Sequence, residues 1–339
     1  IDMATAPSNA NVAYSIYCNS SDYKVKGIYK TSDKGETWTE VNMPGGDDQL
    51  AASQAWYDLS MAVDPNNENV VAVGGLHIWR TRDGGENWQQ LTMGGLDSVL
   101  LRYVHVDQHE ITFKTSDEVY FGNDGGIWKC DDFTSETPFI YNRNDGYNVT
   151  QFYSVALHPF ENVQQLMGGT QDNGTPYAYN AGIADFKFVS GADGAFTAFN
   201  KSNPEIFYTA TQLKRLYRFN NGGFEPPEAI TNPNVEDHNV LFINPFELDA
   251  SNPEYLFQCS NKGLWRFSNA STSDTSGWAK AANLNGVLSA IGTSPAAPGT
   301  LFVGRSSSVG DIFRLPDAYT SDATSVPANA DPLDLLPDA

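Results

Sequence analysis

The chain has 339 residues, 41 acidic against 20 basic side chains, and a formal net charge of −21. Hydrophobic residues (40 %) and aromatics (12 %) are ample for a packed core, which excludes a disordered acidic tail. The acid excess argues against nucleic acid or an anionic membrane surface as partner, and no run nears the ~18 apolar residues of a membrane span.

Cys18, Cys130 and Cys259 are odd in number, far apart and without CxxC spacing, so they predict free, buried thiols rather than a disulfide framework or a zinc site. The first residue is Ile, without a charged-then-apolar leader behind it, which predicts a piece of a longer polypeptide.

In chain order, an aliphatic–aromatic–basic triplet recurs. It runs Ile28-Tyr29-Lys30, Ile78-Trp79-Arg80, Ile127-Trp128-Lys129, Leu216-Tyr217-Arg218, Leu264-Trp265-Arg266 and Ile312-Phe313-Arg314. The aromatic positions lie 50, 49, 89, 48 and 48 apart, and a degenerate copy at Pro176–Tyr179 halves the long interval. Seven units of about 47 residues follow. Asn/Pro turns precede apolar runs at Asn69–Gly74, Glu205–Thr211 and Glu254–Cys259; the runs are short, rich in Val, Ile, Tyr and Phe, and free of helical periodicity. Four short strands per unit, seven times over, predict an all-β, seven-bladed β-propeller with four-stranded antiparallel blades. The blades start near residues 1, 57, 105, 150, 194, 239 and 287 of a single domain spanning 1–330. Residues 317–339, rich in Asp, Ala and Pro, predict a closing strand and then a linker at 331–339 toward an adjoining domain of the same polypeptide.

Two triplets lead into Thr31-Ser32-Asp33-Lys34-Gly35-Glu36-Thr37-Trp38 and Thr81-Arg82-Asp83-Gly84-Gly85-Glu86-Asn87-Trp88. In such a turn Asp33 or Asp83 accepts hydrogen bonds from backbone amides, Gly35 or Gly85 takes positive φ, and Trp38 or Trp88 covers the hairpin. Their role is structural. The pattern S/T-x-D-x-G-x-x-W is similar to the Asp box of BNR-repeat propellers. With Val104–His109, Gly122–Gly126, Gly169–Thr175 and Gly191–Gly194 in that order, nearly the whole chain resembles the sortilin-like and xyloglucanase-type, glycosidase-annotated propellers of secreted Bacteroidota surface proteins. The resemblance implies a secreted or cell-surface location and a module of a larger exported protein.

The register gathers polar residues on loops at one end of the strands. Asp124 and Asp172 follow second strands, His105 and Asp107 precede a first strand, and Asp193 and His238 precede others, with Trp56 and Tyr57 in the equivalent place. His105, Asp107 and His109 alternate, which on an extended strand points them to one side as metal ligands, with Asp124 completing a site for calcium or another divalent cation. A hydrogen-bonded polar cluster accounts for the same residues. Asp107, Asp124, Asp172 and Asp193 are the candidates for a glycoside-hydrolase carboxylate pair. Against hydrolysis, no Arg-Ile-Pro segment is present. Only nine arginines occur, and Arg80, Arg218, Arg266 and Arg314 sit in the repeated triplet. The sequence therefore predicts a non-enzymatic binding, adhesion or assembly module, with Trp56, Tyr57, Asp172, Asp193 and His238 facing a surface glycan or protein partner. A glycoside hydrolase and a structural module of a surface filament are the alternatives.

Overall fold

The computed structural model describes residues 1–45, 50–93, 103–147, 149–180, 186–306 and 311–324. The chain divides into two compact units, Ile1–Val149 and Thr150–Ala339. Each is a series of antiparallel meanders in which sequence neighbours are sheet neighbours.

The first unit holds three four-stranded sheets. Sheet I is β1 (Asp2–Thr5), β2 (Ala13–Cys18), β3 (Val25–Thr31) and β4 (Thr39–Val41); sheet II is β5 (Ser60–Val63), β6 (Val71–Gly74), β7 (Ile78–Thr81) and β8 (Trp88–Gln90). Sheet III is β9 (Gln108–Phe113), β10 (Val119–Asn123), β11 (Gly126–Cys130) and β12 (Ile140–Asn142). The second unit holds four. Sheet IV is β13 (Phe152–Leu157), β14 (Leu166–Thr170), β15 (Thr175–Ala178) and β16 (Phe186–Ser190); sheet V is β17 (Gly194–Phe199), β18 (Phe207–Thr211), β19 (Leu216–Phe219) and β20 (Glu228–Ala229). Sheet VI is β21 (Phe246–Leu248), β22 (Tyr255–Ser260), β23 (Gly263–Ser268) and β24 (Trp278–Ala282), and sheet VII is β25 (Val287–Thr293), β26 (Leu301–Ser306) and β27 (Asp311–Leu315). These seven sheets place the chain in the seven-bladed β-propeller class.

Sheet VII has three strands among the described residues, where four are expected. Beyond β27 the chain folds into turns through 324, tied by Ala318 N to Gly299 O (2.8 Å) and Ser321 N to Asp317 O (2.9 Å). The expected linker at 331–339 and residues 325–330 lie outside the described residues, and the described part of the expected closing strand, 317–324, forms turns instead of a strand. Helix is limited, among the described residues, to three-residue 3-10 turns, and no helix is long and apolar enough to cross a membrane.

Between sheets the cores are apolar. Tyr14, Ile16 and Ile28 of sheet I pack with Met61, Val71, Val73 and Trp79 of sheet II, and Phe199, Phe207 and Phe219 of sheet V pack with Met167 and Tyr177 of sheet IV. The repeated triplets therefore sit on third strands, with Ile28, Ile78, Leu216 and Leu264 fully buried. Cys130 and Cys259 are buried free thiols at or near strand ends, whereas Cys18 is only half-buried.

The turns that follow β3 and β7 share one hydrogen-bond set. Gly35 N donates to Thr31 Oγ1 (2.9 Å) and Thr37 N to Asp33 Oδ1 (2.9 Å); Gly85 N donates to Thr81 Oγ1 and Asn87 N to Asp83 Oδ1 at the same distances. Those bonds hold the Asp33 carboxyl down at about 2, with Thr37 the main donor. Gly35 (φ 91°) and Gly85 (φ 100°) occupy the left-handed region. Trp88 Nε1 donates to Asn42 O (2.7 Å), joining sheet II to the end of sheet I, while Trp38 is 37 % exposed.

Candidate functional site

In the first unit three loops meet at one end of sheets II and III. The stretch before β5 is a compact turn, with Tyr57 N donating to Gln54 O (2.8 Å), and it delivers Gln54, Trp56, Tyr57 and Asp58. The segment before β9 supplies His105 and Asp107. It is anchored by Gln108 N to Gly75 O (2.8 Å) and by Gln108 Nε2 to His105 O (2.6 Å). The β10–β11 hairpin supplies Asp124, fixed by Gly125 N to Asn123 Oδ1 (3.0 Å) and Asn144 Nδ2 to Gly125 O (2.7 Å). Gly125 is required by close approach: a Cβ there would lie 2.4 Å from the Cβ of His105.

Two hydrogen-bonded groups result. Gln54 Nε2 donates to Asp58 Oδ2 (3.0 Å) and to Asp107 Oδ1 (2.5 Å), bridging two carboxyls. Asp124 accepts from Tyr57 Oη (2.9 Å) and pairs with His109 Nε2 (2.6 Å). The Tyr57 ring stands edge-on to His109 with centroids 4.7 Å apart, and Trp56, 67 % exposed, lies 5.5 Å from Tyr57. A carboxylate oxygen of Asp107 and one of Asp124 come within 4.8 Å of each other.

Burial dominates the electrostatics. Asp58 is wholly inaccessible, which pushes its carboxyl up to about 8, opposed by the Gln54 hydrogen bond and reinforced by the Asp107 charge. Asp107 is also raised, by burial first and then by the Asp124 charge. Asp58 is therefore mostly protonated at neutral pH and sealed from solvent.

The expectation that His105, Asp107 and His109 line one side of a strand is corrected here. β9 begins at Gln108, and Asp107 takes φ 65°, a left-handed conformation that a short Asp tolerates. The three side chains take different partners: Asp107 accepts from Gln54, His109 pairs with Asp124, and His105 Nδ1 lies 3.0 Å from Val106 O. Gln54 escapes sequence reasoning as a site residue, and Asp58 is legible there only as part of the Trp56-Tyr57-Asp58 segment on the polar loop face. The sole signal is the adjacency of Asp58 to the Trp56-Tyr57 pair, because burial of an Asp beside a Gln is a tertiary property.

In the second unit, Asp172 (φ 56°) lies in the β14–β15 loop and its backbone N donates to Asp193 Oδ1 (3.0 Å), so part of the Asp193 carboxylate shapes that loop. Asp172, Asn173, Ser190 and the 70 % exposed Phe188 border a shallow cleft of about 320 Å³. His238 sits in a 3-10 turn before β21, its Nε2 3.2 Å from Asn239 Nδ2. Arg80, Arg218 and Arg266 are spent on carbonyls of the next sheet's outer turn, whereas Arg314 is exposed and departs from that pattern.

No family model and no curated protein sequence matches the chain. Among solved structures it is similar to the xyloglucanase of glycoside hydrolase family 74 from Xanthomonas campestris (15 % identity, TM-score 0.30, 79 % of this chain and 44 % of that one). It is also similar to the family 74 enzyme of Niastella koreensis (17 %, TM-score 0.32, 96 % and 53 %). A third is YCF48 bound to a D1 peptide (11 %, TM-score 0.33, 89 % and 89 %). The chain thus spans about half the length of the two xyloglucanase-family structures. The seven sheets, not these distant likenesses, define the fold class.

Proposed function

We propose that the chain is a non-enzymatic binding or assembly module of an exported, cell-surface or extracellular protein, using the loops beside Trp56 and Tyr57 as its ligand face. One observation carries this reading. The exposed Trp56 is set against a Tyr57 whose hydroxyl is locked on Asp124, while the neighbouring carboxyls Asp58 and Asp107 are buried and joined through Gln54. An aromatic ledge of fixed orientation suits a flat, partly apolar ligand such as a sugar ring, or a side chain of a protein partner. A general acid and base must instead face the substrate.

The second reading is glycoside hydrolysis, favoured by the raised carboxyl of Asp107 close to that of Asp124. A glycan array scored for both retention and release of reducing ends separates the two. Retention without turnover, abolished by Trp56→Ala, supports the binding module. Turnover lost on Asp107→Asn or Asp124→Asn assigns the hydrolase.

A further inference from the structure

We propose that Asp145-Gly146 is a site of spontaneous backbone modification, at which the aspartate converts to isoaspartate in the folded chain. An Asp-Gly or Asn-Gly pair reacts when the glycine nitrogen is free to reach the preceding side chain, because glycine has no Cβ to block the approach. Seven such pairs fall among the described residues, at Asp83, Asp124, Asp145, Asn173, Asp193, Asn221 and Asn285. The fold ties down the glycine nitrogen in five of them. Gly84 N donates to Asn69 O (2.9 Å), Gly125 N to Asn123 Oδ1 (3.0 Å), Gly174 N to Ala192 O (2.8 Å), Gly222 N to Glu205 O (2.9 Å) and Gly286 N to Asn261 O (3.0 Å). At the sixth, Asp193 is 9 % exposed, its Oδ1 accepts from Asp172 N (3.0 Å), and Gly194 opens β17. Asp145 and Gly146 differ. Both are exposed, no hydrogen bond among the described residues engages the Gly146 nitrogen, and a Cβ on Gly146 would meet nothing within 4 Å.

The chemistry needs water alone. The Gly146 nitrogen bonds to Asp145 Cγ, and the carboxyl hydroxyl leaves with the amide hydrogen as water. Hydrolysis of the cyclic imide returns that water and opens the ring at either carbonyl. Opening at the original backbone carbonyl leaves the chain running through the former side chain, one methylene longer. That methylene enters beside Asn144, whose carbonyl closes the turn by accepting from Tyr147 N (2.8 Å). The Asn144 side chain donates to Gly125 O (2.7 Å) and accepts from Ile127 N (2.8 Å), so it holds the β10–β11 hairpin that carries Asp124. Conversion should therefore loosen Asp124 and, through it, Tyr57. This consequence rests on the reading of the aromatic ledge, whereas the modification does not.

The test holds the full chain for weeks at neutral pH, folded or in concentrated urea, and maps isoaspartate by peptide mass spectrometry and enzymatic carboxyl methylation. Each pair is its own control. Folding should slow the five tethered pairs by about tenfold or more, since the tether must open first, and should leave Asp145 within about twofold of its unfolded rate. Asp145→Glu should abolish the signal there with Tm unchanged, because the longer side chain closes the imide far less readily. Slowing at Asp145 as large as at the tethered pairs overturns the assignment. So does a folded chain in which Asn173, Asn221 and Asn285 react as fast as in urea. Converted chain should also retain less ligand on a glycan array than fresh chain. Equal retention overturns the link to the ledge, and a fresh chain that retains nothing counts against the ledge reading while leaving the modification in place.

Discussion

Arg218 Nη1 donates to the carbonyl of Ala270 at 2.8 Å, 52 residues further along the chain. The same nitrogen reaches Ser273 O at 2.8 Å, and Arg266 repeats the fork on Ala318 O (2.9 Å) and Ser321 O (2.8 Å). Arg80 makes the first half of it with Phe133 O. Arg80, Arg218 and Arg266 therefore each clamp the outer turn that follows, about one repeat length away. In those three triplets the arginine is a staple between sheets as well as part of a strand.

Removing the clamp should be expensive. Arg218 is 3 % exposed and also pairs with Glu228 (2.5 Å). Arg218→Ala leaves two carbonyls without their donor and should destabilise by about 3–5 kcal/mol. Arg314→Ala, at an exposed position, should stay within about 0.5 kcal/mol. Urea melts of the two variants decide the contrast, and equal losses would contradict the staple.

The two outer turns of the first unit should respond differently to the same substitution. Gly35 and Gly85 both hold positive φ, so alanine is strained at either, at a cost of about 1–2 kcal/mol. At Gly85 the new Cβ would also lie 2.7 Å from Val41 Cβ, whereas at Gly35 the nearest atom is 3.9 Å away. Gly85→Ala should therefore lower Tm clearly more than Gly35→Ala.

Acid should expose the contribution of Asp33. Its folded-state carboxyl sits at about 2, below the ordinary value of 3.8, chiefly through Thr37. The stabilisation is complete above pH ~4 and drains away as the pH falls from ~4 toward ~2. Asp33→Asn should flatten stability over that window and leave it unchanged in shape above it, measured by denaturant midpoints across pH.

Trp56 should behave as a surface residue in folding and as a contact residue in recognition. At 67 % exposure its truncation should cost within about 0.5 kcal/mol of stability. Ligand retention on an array should nevertheless drop sharply. A large loss of stability on Trp56→Ala would mean that the ring serves the fold instead.

Much of this molecule is legible from its repeats. The triplets fall on β3, β7, β11, β19, β23 and β27, and in four of them the aliphatic is fully buried between sheets, as a third strand packed on a neighbouring sheet requires. The degenerate copy at Pro176–Tyr179 falls on and just beyond β15 for the same reason. Local turn chemistry is equally readable, since Asp33 and Asp83 act on residues at most four positions away. His105, Asp107 and His109 were legible as a group near one loop end, but not as a geometry. A single left-handed residue, Asp107, breaks the alternation that the spacing implies.

The repeat, the all-β class, the third-strand signature and the special turns are all legible in the sequence, because each recurs at a spacing of about 47 residues. Tertiary structure alone decided which distant side chains share a site. Gln54 bridges Asp58 to Asp107 across 53 residues, and Tyr57 meets Asp124 across 67. Burial and hydrogen bonding between adjacent sheets choose those partners, and no local pattern encodes them. Some of the acidic residues are turn carboxylates, such as Asp33 and Asp83.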